Sequence, residues 1–396
     1  MHKITKDHKK ATILKLALRT EGINVLDNVA GVGNSIKEDV EGLYSIDSKK
    51  GIKPNEIVIF NRITTKLVHN KKSRFKLFKD KDEYFVGLDR DTPLINVKFS
   101  KRPEHYDLKT ERGTPMKNIA QIMGADCLAI AVDKQCSYFN TGDFCRYCNI
   151  TPTNLQSGIA RRSYEEDIKD VIKVAGRKYR FINLTGGTFS DTNKECDTYT
   201  EIGNMIREYS NRETYSGPFS LTPPKDLSKL VKLAETGVDV ISFNPDVWNQ
   251  DAFEKLCPGK AKIGKKGYDS ALQAAKNIWG ESNAVVQYLI GPWESNDDLL
   301  DGVKYHLDKG ILVNLTTFYP SPKSSLKGTH PKSLSDLVYI YSNYGELVRQ
   351  SGLFPNARRS ILTSESANRS SVSNESSRGY IVPGDENYIS DILNEV

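Results

Sequence analysis

The chain has 396 residues, 38% hydrophobic and 27% charged, and its 56 basic against 50 acidic residues leave a net charge of +6. This is the make-up of an ordinary globular protein and excludes disordered, collagen-like and disulfide-scaffold classes. No apolar run approaches the ~20 residues that cross a bilayer, and a small positive balance without a basic stripe argues against nucleic acid as a partner. Residues 1–20 are basic but lack an apolar stretch followed by a small-residue cleavage site, so no secretory signal is read there and a cytoplasmic location is the expectation.

In chain order, the first 115 residues follow no single rhythm. A helix is expected over 12–20, a glycine-containing loop over 31–34, and several strands as far as Val97. The run Lys71-Lys72-Ser73-Arg74 leads into Phe75, Leu77 and Phe78, the alternation of a half-exposed strand. From residue 127 the pattern changes to short apolar runs separated by amphipathic stretches, which specifies parallel strands joined by crossover helices. Six strands are expected, at 127–133, 180–184, 218–222, 238–243, 284–290 and 312–318. The helices between them fall at 164–174, 199–209, 226–235, 268–279 and 297–307. A further helix is expected at 333–350, then a Ser/Asn/Arg-rich irregular stretch at 360–379 and a short helix at 388–393. The fold class is therefore α/β, with six units suiting a partial (β/α)6 TIM-like barrel better than a closed eight-unit one. An N-terminal α+β extension or cap (1–115), the barrel (116–330) and a C-terminal helix with tail (331–396) are the expected divisions.

Three of the six cysteines, Cys136, Cys145 and Cys148, fall within thirteen residues directly after the first expected barrel strand. Loops at the C-terminal ends of parallel strands converge, so a cofactor held there faces the other site loops. Three thiolates can bind three irons of a [4Fe–4S] cubane and leave the fourth iron open to the amine and carboxylate of a ligand such as S-adenosylmethionine (SAM). Zinc usually asks for four ligands in two close pairs, whereas only one close pair exists here, and none of His2, His8, His69, His105, His306 and His330 lies in the motif. Cys127, Cys196 and Cys257 are isolated and read as buried free thiols.

Cys145-Arg146-Tyr147-Cys148 resembles the closing half of the radical SAM cluster motif, in which the aromatic residue lies near the adenine. Eight residues separate Cys136 from Cys145 where the family's commonest spacing is three, a change confined to the loop between two ligands. The resemblance extends to Thr185-Gly186-Gly187-Thr188, similar to the family's Gly-Gly-Glu turn that receives the methionyl amine of SAM, although Thr188 replaces the glutamate. It extends also to the strand ending at Gly291, with Glu294 expected to begin the next helix, and to the strand and proline turn at 314–322. Tyr147, Thr185, Gly186, Gly187, Thr222, Asn244 and Gly291 are accordingly the expected cofactor-binding residues, and Cys136, Cys145 and Cys148 the metal ligands.

Leu16-Ala17-Leu18-Arg19-Thr20-Glu21-Gly22, the segment from Tyr106 to Pro115 with Ile119 and Ala120, and Pro258-Gly259-Lys260-Ala261 resemble one radical SAM family found in nitrilase-containing bacterial gene clusters. That family carries a further cysteine group near its C-terminus, but no cysteine follows Cys257 here, so a second metal site is not expected. The resemblance implies reductive cleavage of SAM at one [4Fe–4S] cluster to a 5'-deoxyadenosyl radical. That radical would abstract hydrogen from a small-molecule, biosynthetic substrate, with flavodoxin or ferredoxin as electron donor. No residue is assigned to substrate chemistry. The alternative is a zinc-stabilised α/β binding module without radical chemistry. The phosphate-loop spacing at Gly259 to Lys265 is set aside because Lys266 stands where a magnesium-binding Ser or Thr is needed.

Overall fold

The computed structural model describes residues 6–29, 56–59, 63–88, 92–123, 127–157, 161–321 and 323–353. The expectations at 31–34, 360–379 and 388–393 lie outside the described residues.

Helix α1 (Lys6–Glu21) opens the chain, and its residues from Ala11 to Leu18 are buried on every side, as in a helix enclosed by other layers. Even Lys15 is buried, with its ammonium donating to the carbonyl of Thr64 at 2.9 Å. A six-stranded sheet follows, formed by β1 (Asn24–Val25), β2 (Glu56–Ile59), β3 (Ile63–Lys66), β4 (Lys76–Asp80), β5 (Glu83–Gly87) and β6 (Pro93–Lys98) in the order β1-β4-β5-β6-β2-β3. All its pairings are antiparallel except β1 with β4. The Phe75, Leu77 and Phe78 side chains are all buried; Leu77 and Phe78 are adjacent and point to opposite faces of β4, so both faces are covered there instead of one being solvated.

The second sheet contains β7 (Ala120–Met123), β8 (Cys127–Ala131), β9 (Phe181–Thr185), β10 (Phe219–Ser220), β11 (Ile241–Ser242), β12 (Ala284–Ile290) and β13 (Leu312–Thr317), in unbroken sequence order. The six strands from β8 onward are parallel. The edge strand β7, which the sequence pattern does not announce, runs antiparallel to β8. Sequential order with a helix in each crossover is the short, unknotted path for βα units. The crossovers carry α4 (Glu165–Ala175), α5 (Thr192–Ser210), α6 (Lys229–Ala234), α9 (Gly264–Trp279) and α10 (Asn296–Leu307). Short helices α2 (Tyr138–Thr141) and α3 (Ile150–Ser157) follow β8, and α7 (Gln250–Leu256) and α8 (Pro258–Ala261) follow β11. Every residue of β8 is buried, as expected of a parallel strand covered on both faces.

Helix α11 (Leu334–Ser351) starts with a capping box in which Ser333 and Asp336 satisfy each other's backbone N–H. It packs on α10 and also on α1, and so joins the two sheets' helical layers. The segment before β7 is fastened to the helical layer of the second sheet at Asp167 of α4, whose buried carboxylate accepts the hydroxyls of Thr110 (2.5 Å) and Thr114 (3.0 Å).

Candidate active site

The chain leaves β8 into the cysteine loop, and Asp133 fixes the path. Its carbonyl accepts Gly187 N–H at 2.7 Å, and its fully buried carboxylate takes Gln135 N–H and the guanidinium Nε groups of Arg161 and Arg162. Three residues on, Cys136 N–H donates to Thr151 Oγ1 at 2.9 Å, and Ser137 N–H donates to the Thr188 carbonyl at 2.8 Å. The loops after the first two parallel strands are thereby laced together. Gly186 and Gly187 allow this: a Cβ on Gly186 would sit 2.7 Å from Asp133 O, and one on Gly187 would sit 2.6 Å from Cys136 Cα. Their absent side chains serve the close backbone approach of the cysteine loop. Thr185, the last residue of β9, takes part through its carbonyl, which accepts Val132 N–H.

The far side of the cysteine loop meets the last strand's end of the parallel sheet. Arg146 N–H donates to Leu256 O, Arg146 O accepts Ser325 N–H, and Asn149 Nδ2 reaches Ser321 Oγ at 2.8 Å beyond β13. Loops from the first and last parallel strands thus converge around Cys145 and Cys148.

The three thiols share one electrostatic neighbourhood. Burial pushes the Cys136 thiol up, against hydrogen bonds to its sulfur from Tyr138 and Thr188 N–H, and the charge of Cys145 adds to the rise. Burial pushes Cys148 up to about 12, helped by Cys145 and Cys136 and opposed by Ile150 N–H. Cys145 is held below the usual thiol range by a hydrogen bond from Cys257, against the effect of burial. Among the described residues, no three Cys, His, Asp or Glu side chains form a ready-made metal shell. The donor set nonetheless fits an iron–sulfur cluster: three soft sulfur donors lie on one loop that follows a parallel strand.

Around this loop the other expected positions fall at the same strand ends. Thr222, after β10, donates its hydroxyl to Thr188 Oγ1 at 3.0 Å. Its N–H and that of Phe189 donate to the two oxygens of Glu195, at 2.7 and 2.9 Å. Burial raises the Glu195 carboxyl to about 7 despite these two bonds. Asn244, after β11, accepts Ser242 Oγ–H and Gln287 N–H on its side-chain oxygen. Gln287 Oε1 in turn accepts from Asn314 Nδ2 and Thr316 Oγ1, so a polar ribbon crosses β11, β12 and β13. Gly291, after β12, is covered by the indole of Trp293, which a Cβ would meet at 2.2 Å. That indole stacks at 6.4 Å on Tyr147, and its buried Nε1–H has no hydrogen-bond partner.

Sequence reasoning missed several of these groups. Cys257 is a free, buried thiol as expected, but it donates to the Tyr147 hydroxyl at 3.9 Å and helps to hold Cys145 low. Asp246 accepts that hydroxyl at 2.5 Å and pairs with Lys260. Lys260 lies in the Pro258-Gly259-Lys260-Ala261 segment, so the resemblance pointed to it without giving a role. Asn183 and Gln287 were discoverable as polar residues inside apolar strands, and the buried Asn183 Oδ1 is also unpartnered. Glu294 does not begin a helix: Ser295 caps α10, and the Glu294 carboxylate accepts Trp248 and Asn249 N–H at the start of α7.

A groove of about 740 Å³ lies at the opposite, N-terminal ends of β9, β10 and β11. Its Arg177 and Arg212 guanidiniums bond carbonyls of Ser210, Arg177 and Arg180, and it contains none of the expected site residues.

The chain is similar in sequence to a curated enzyme. Among curated proteins it is 21% identical over 257 residues to the bacteriochlorophyllide c C-7(1)-hydroxylase of Chlorobaculum limnaeum, covering 60% of this chain and 64% of the relative, just under two thirds of its length. No family model matches. Among solved structures, methylornithine synthase (PylB) has a TM-score of 0.42 at 18% identity, covering 73% of this chain and 94% of that one. HydG, a maturase of the [FeFe]-hydrogenase, has a TM-score of 0.44 at 13% identity, covering 56% of this chain and 48% of that one. No described helix is long and apolar enough to cross a membrane.

Proposed function

We propose that this chain is a radical SAM enzyme whose partial (β/α)6 barrel holds one [4Fe–4S] cluster on Cys136, Cys145 and Cys148. The observation that carries the reading is the cysteine loop itself. It follows the first parallel strand and is laced by backbone hydrogen bonds to Gly187 and Thr188 at the end of the second. When bound, the cluster and SAM supply one-electron reduction and hydrogen abstraction from carbon. The protein's own groups bind and orient. Tyr147 and Trp293 offer stacked rings, the Trp293 and Asn183 polar atoms await partners, and Asn244 and Gln287 present a polar ribbon to the ligand.

The substrate in this reading is a small molecule that loses hydrogen from a C–H bond. The relative named for hydroxylating a carbon position supports a reaction that starts at such a bond. Residues 1–115 would cap the open flank of the barrel. Flavodoxin or ferredoxin would deliver the electron in the cytoplasm. The nitrilase-cluster family is the assignment that the distributed segments favour.

The test is metal content and electron paramagnetic resonance on anaerobically reconstituted, dithionite-reduced protein, with and without SAM, beside a Cys145→Ala/Cys148→Ala variant. About four irons per chain and a reduced-cluster signal that shifts with SAM and disappears in the variant are expected. Stoichiometric zinc without iron uptake would overturn the reading in favour of a structural metal site.

A further inference from the structure

Behind the cysteine loop lies a buried pair of opposite charges. Lys260 is only 17% exposed and Asp246 8%. The Lys260 ammonium donates to Asp246 Oδ2 and, at 2.6 Å, to the Asn244 carbonyl. The other neighbour of the Asp246 carboxylate is Tyr147, between two of the cysteines, whose hydroxyl it accepts at 2.5 Å. Both charges act on Cys145, Lys260 more strongly than Asp246.

Neither partner can withdraw easily. A Cβ on Gly259 would lie 2.5 Å from the Tyr138 ring, and Gly259 N–H donates to Asp143 O at 2.9 Å, so the segment carrying Lys260 is pressed against the cysteine loop. Asp246 occupies the left-handed region at φ 71° and is tied to β12 by Leu289 N–H, 2.8 Å from its carbonyl. A non-glycine residue held there marks a position fixed by its surroundings.

We infer that Lys260 and Asp246 are opposed positioning charges that set the reduction potential of the cluster, Lys260 raising it and Asp246 lowering it. The inference rests on the proposed function. Its physics is that reduction adds negative charge, which a buried cation stabilises and a buried anion resists, with little water to screen either. Their joint presence gives a compensated field, so removing one must unmask the other.

The experiment is a redox titration followed by electron paramagnetic resonance, with iron content measured in parallel, on the full chain and on Lys260→Met, Asp246→Asn and the double variant. At a fixed poise, Lys260→Met should lower the reduced-to-oxidised ratio roughly tenfold, about 59 mV for one electron. Asp246→Asn should raise the ratio, and the double variant should return toward the parent. A merely structural pair would move both single variants in the same direction. That result, or no movement with iron retained, overturns the inference. If Lys260→Met sheds its iron, Asp246→Asn decides alone: a ratio at or below the parent's overturns it. A parent chain that takes up no iron fails the proposed function instead.

Discussion

Gly187 lies against the backbone of Cys136, so close that a methyl group on it would fall 2.6 Å from both Cys136 Cα and N. The contact sits beside the hydrogen bond from Gly187 N–H to Asp133 O and cannot open without moving the cysteine loop. Gly187→Ala should therefore displace Cys136 at a cost of ~1–3 kcal/mol, typical of overpacking. Iron content after reconstitution should fall to less than about half, with far-UV circular dichroism unchanged, because the strain is confined to one loop. A variant that binds iron fully and melts with the parent would show that Gly187 is not needed for this approach.

Trp293 offers a second, optical handle. The sequence holds three tryptophans, and only this one stacks on Tyr147. A buried indole N–H without a partner forgoes a bond worth about 1 kcal/mol, which a ligand acceptor can supply. Adding SAM to cluster-loaded protein should change the fluorescence, and Trp293→Phe should abolish most of that change while weakening SAM roughly fivefold. Equal affinity by equilibrium dialysis in the two proteins would place SAM away from the indole.

Asp167 tests how the first 115 residues are attached. Its buried carboxylate holds Thr110 and Thr114, and Asp167→Ala would leave both hydroxyls without that acceptor. A loss of about 2–4 kcal/mol is expected, since each bond involves a charged acceptor. Limited proteolysis should then cut preferentially between residues 99 and 118. An unchanged digestion pattern would mean that other contacts hold the segment.

Much of this architecture was legible in the sequence because long parallel strands write themselves as apolar runs. The expected 284–290 coincides with β12, Ala284–Ile290. The expected 218–222 shrinks to Phe219–Ser220: Leu221 N–H still bonds the Ser242 carbonyl of β11, but Thr222 N–H turns to Glu195, ahead of Pro223 and Pro224, which have no N–H to donate. The missed edge strand β7 has only four residues, too few for an alternation to declare it, although Gly124 and Asp126 after it are residue types that favour turns. For the site, local spacing disclosed the three cysteines and the paired glycines. Cys257, Asp246 and Lys260 are brought to Cys145 and Tyr147 only by the crossover after β11, a long-range contact for which no periodicity exists. Glu195 was hidden in a helix where an acidic residue ordinarily faces water.

Glu195 gives a pH signature that separates it from such a surface residue. Its carboxyl is raised from 4.5 to about 7, chiefly by burial. Between those values the folded chain binds a proton that the unfolded chain has released. The stability contributed by this group is therefore complete below about pH 4.5 and is lost as pH rises to about 7. The shift corresponds to a loss on the order of 3 kcal/mol across that window. Glu195→Gln cannot ionise and keeps one acceptor oxygen for the Thr222 and Phe189 N–H groups, so it should start ~1–2 kcal/mol below the parent at pH 4.5. Urea unfolding across pH 4.5–7.5 should show the variant gaining on the parent and drawing level or passing it at the upper end, because only the parent carries the buried charge there. Parallel stability curves for the two proteins would mean that Glu195 ionises as readily when folded as when unfolded, and that its two backbone bonds fully offset the burial.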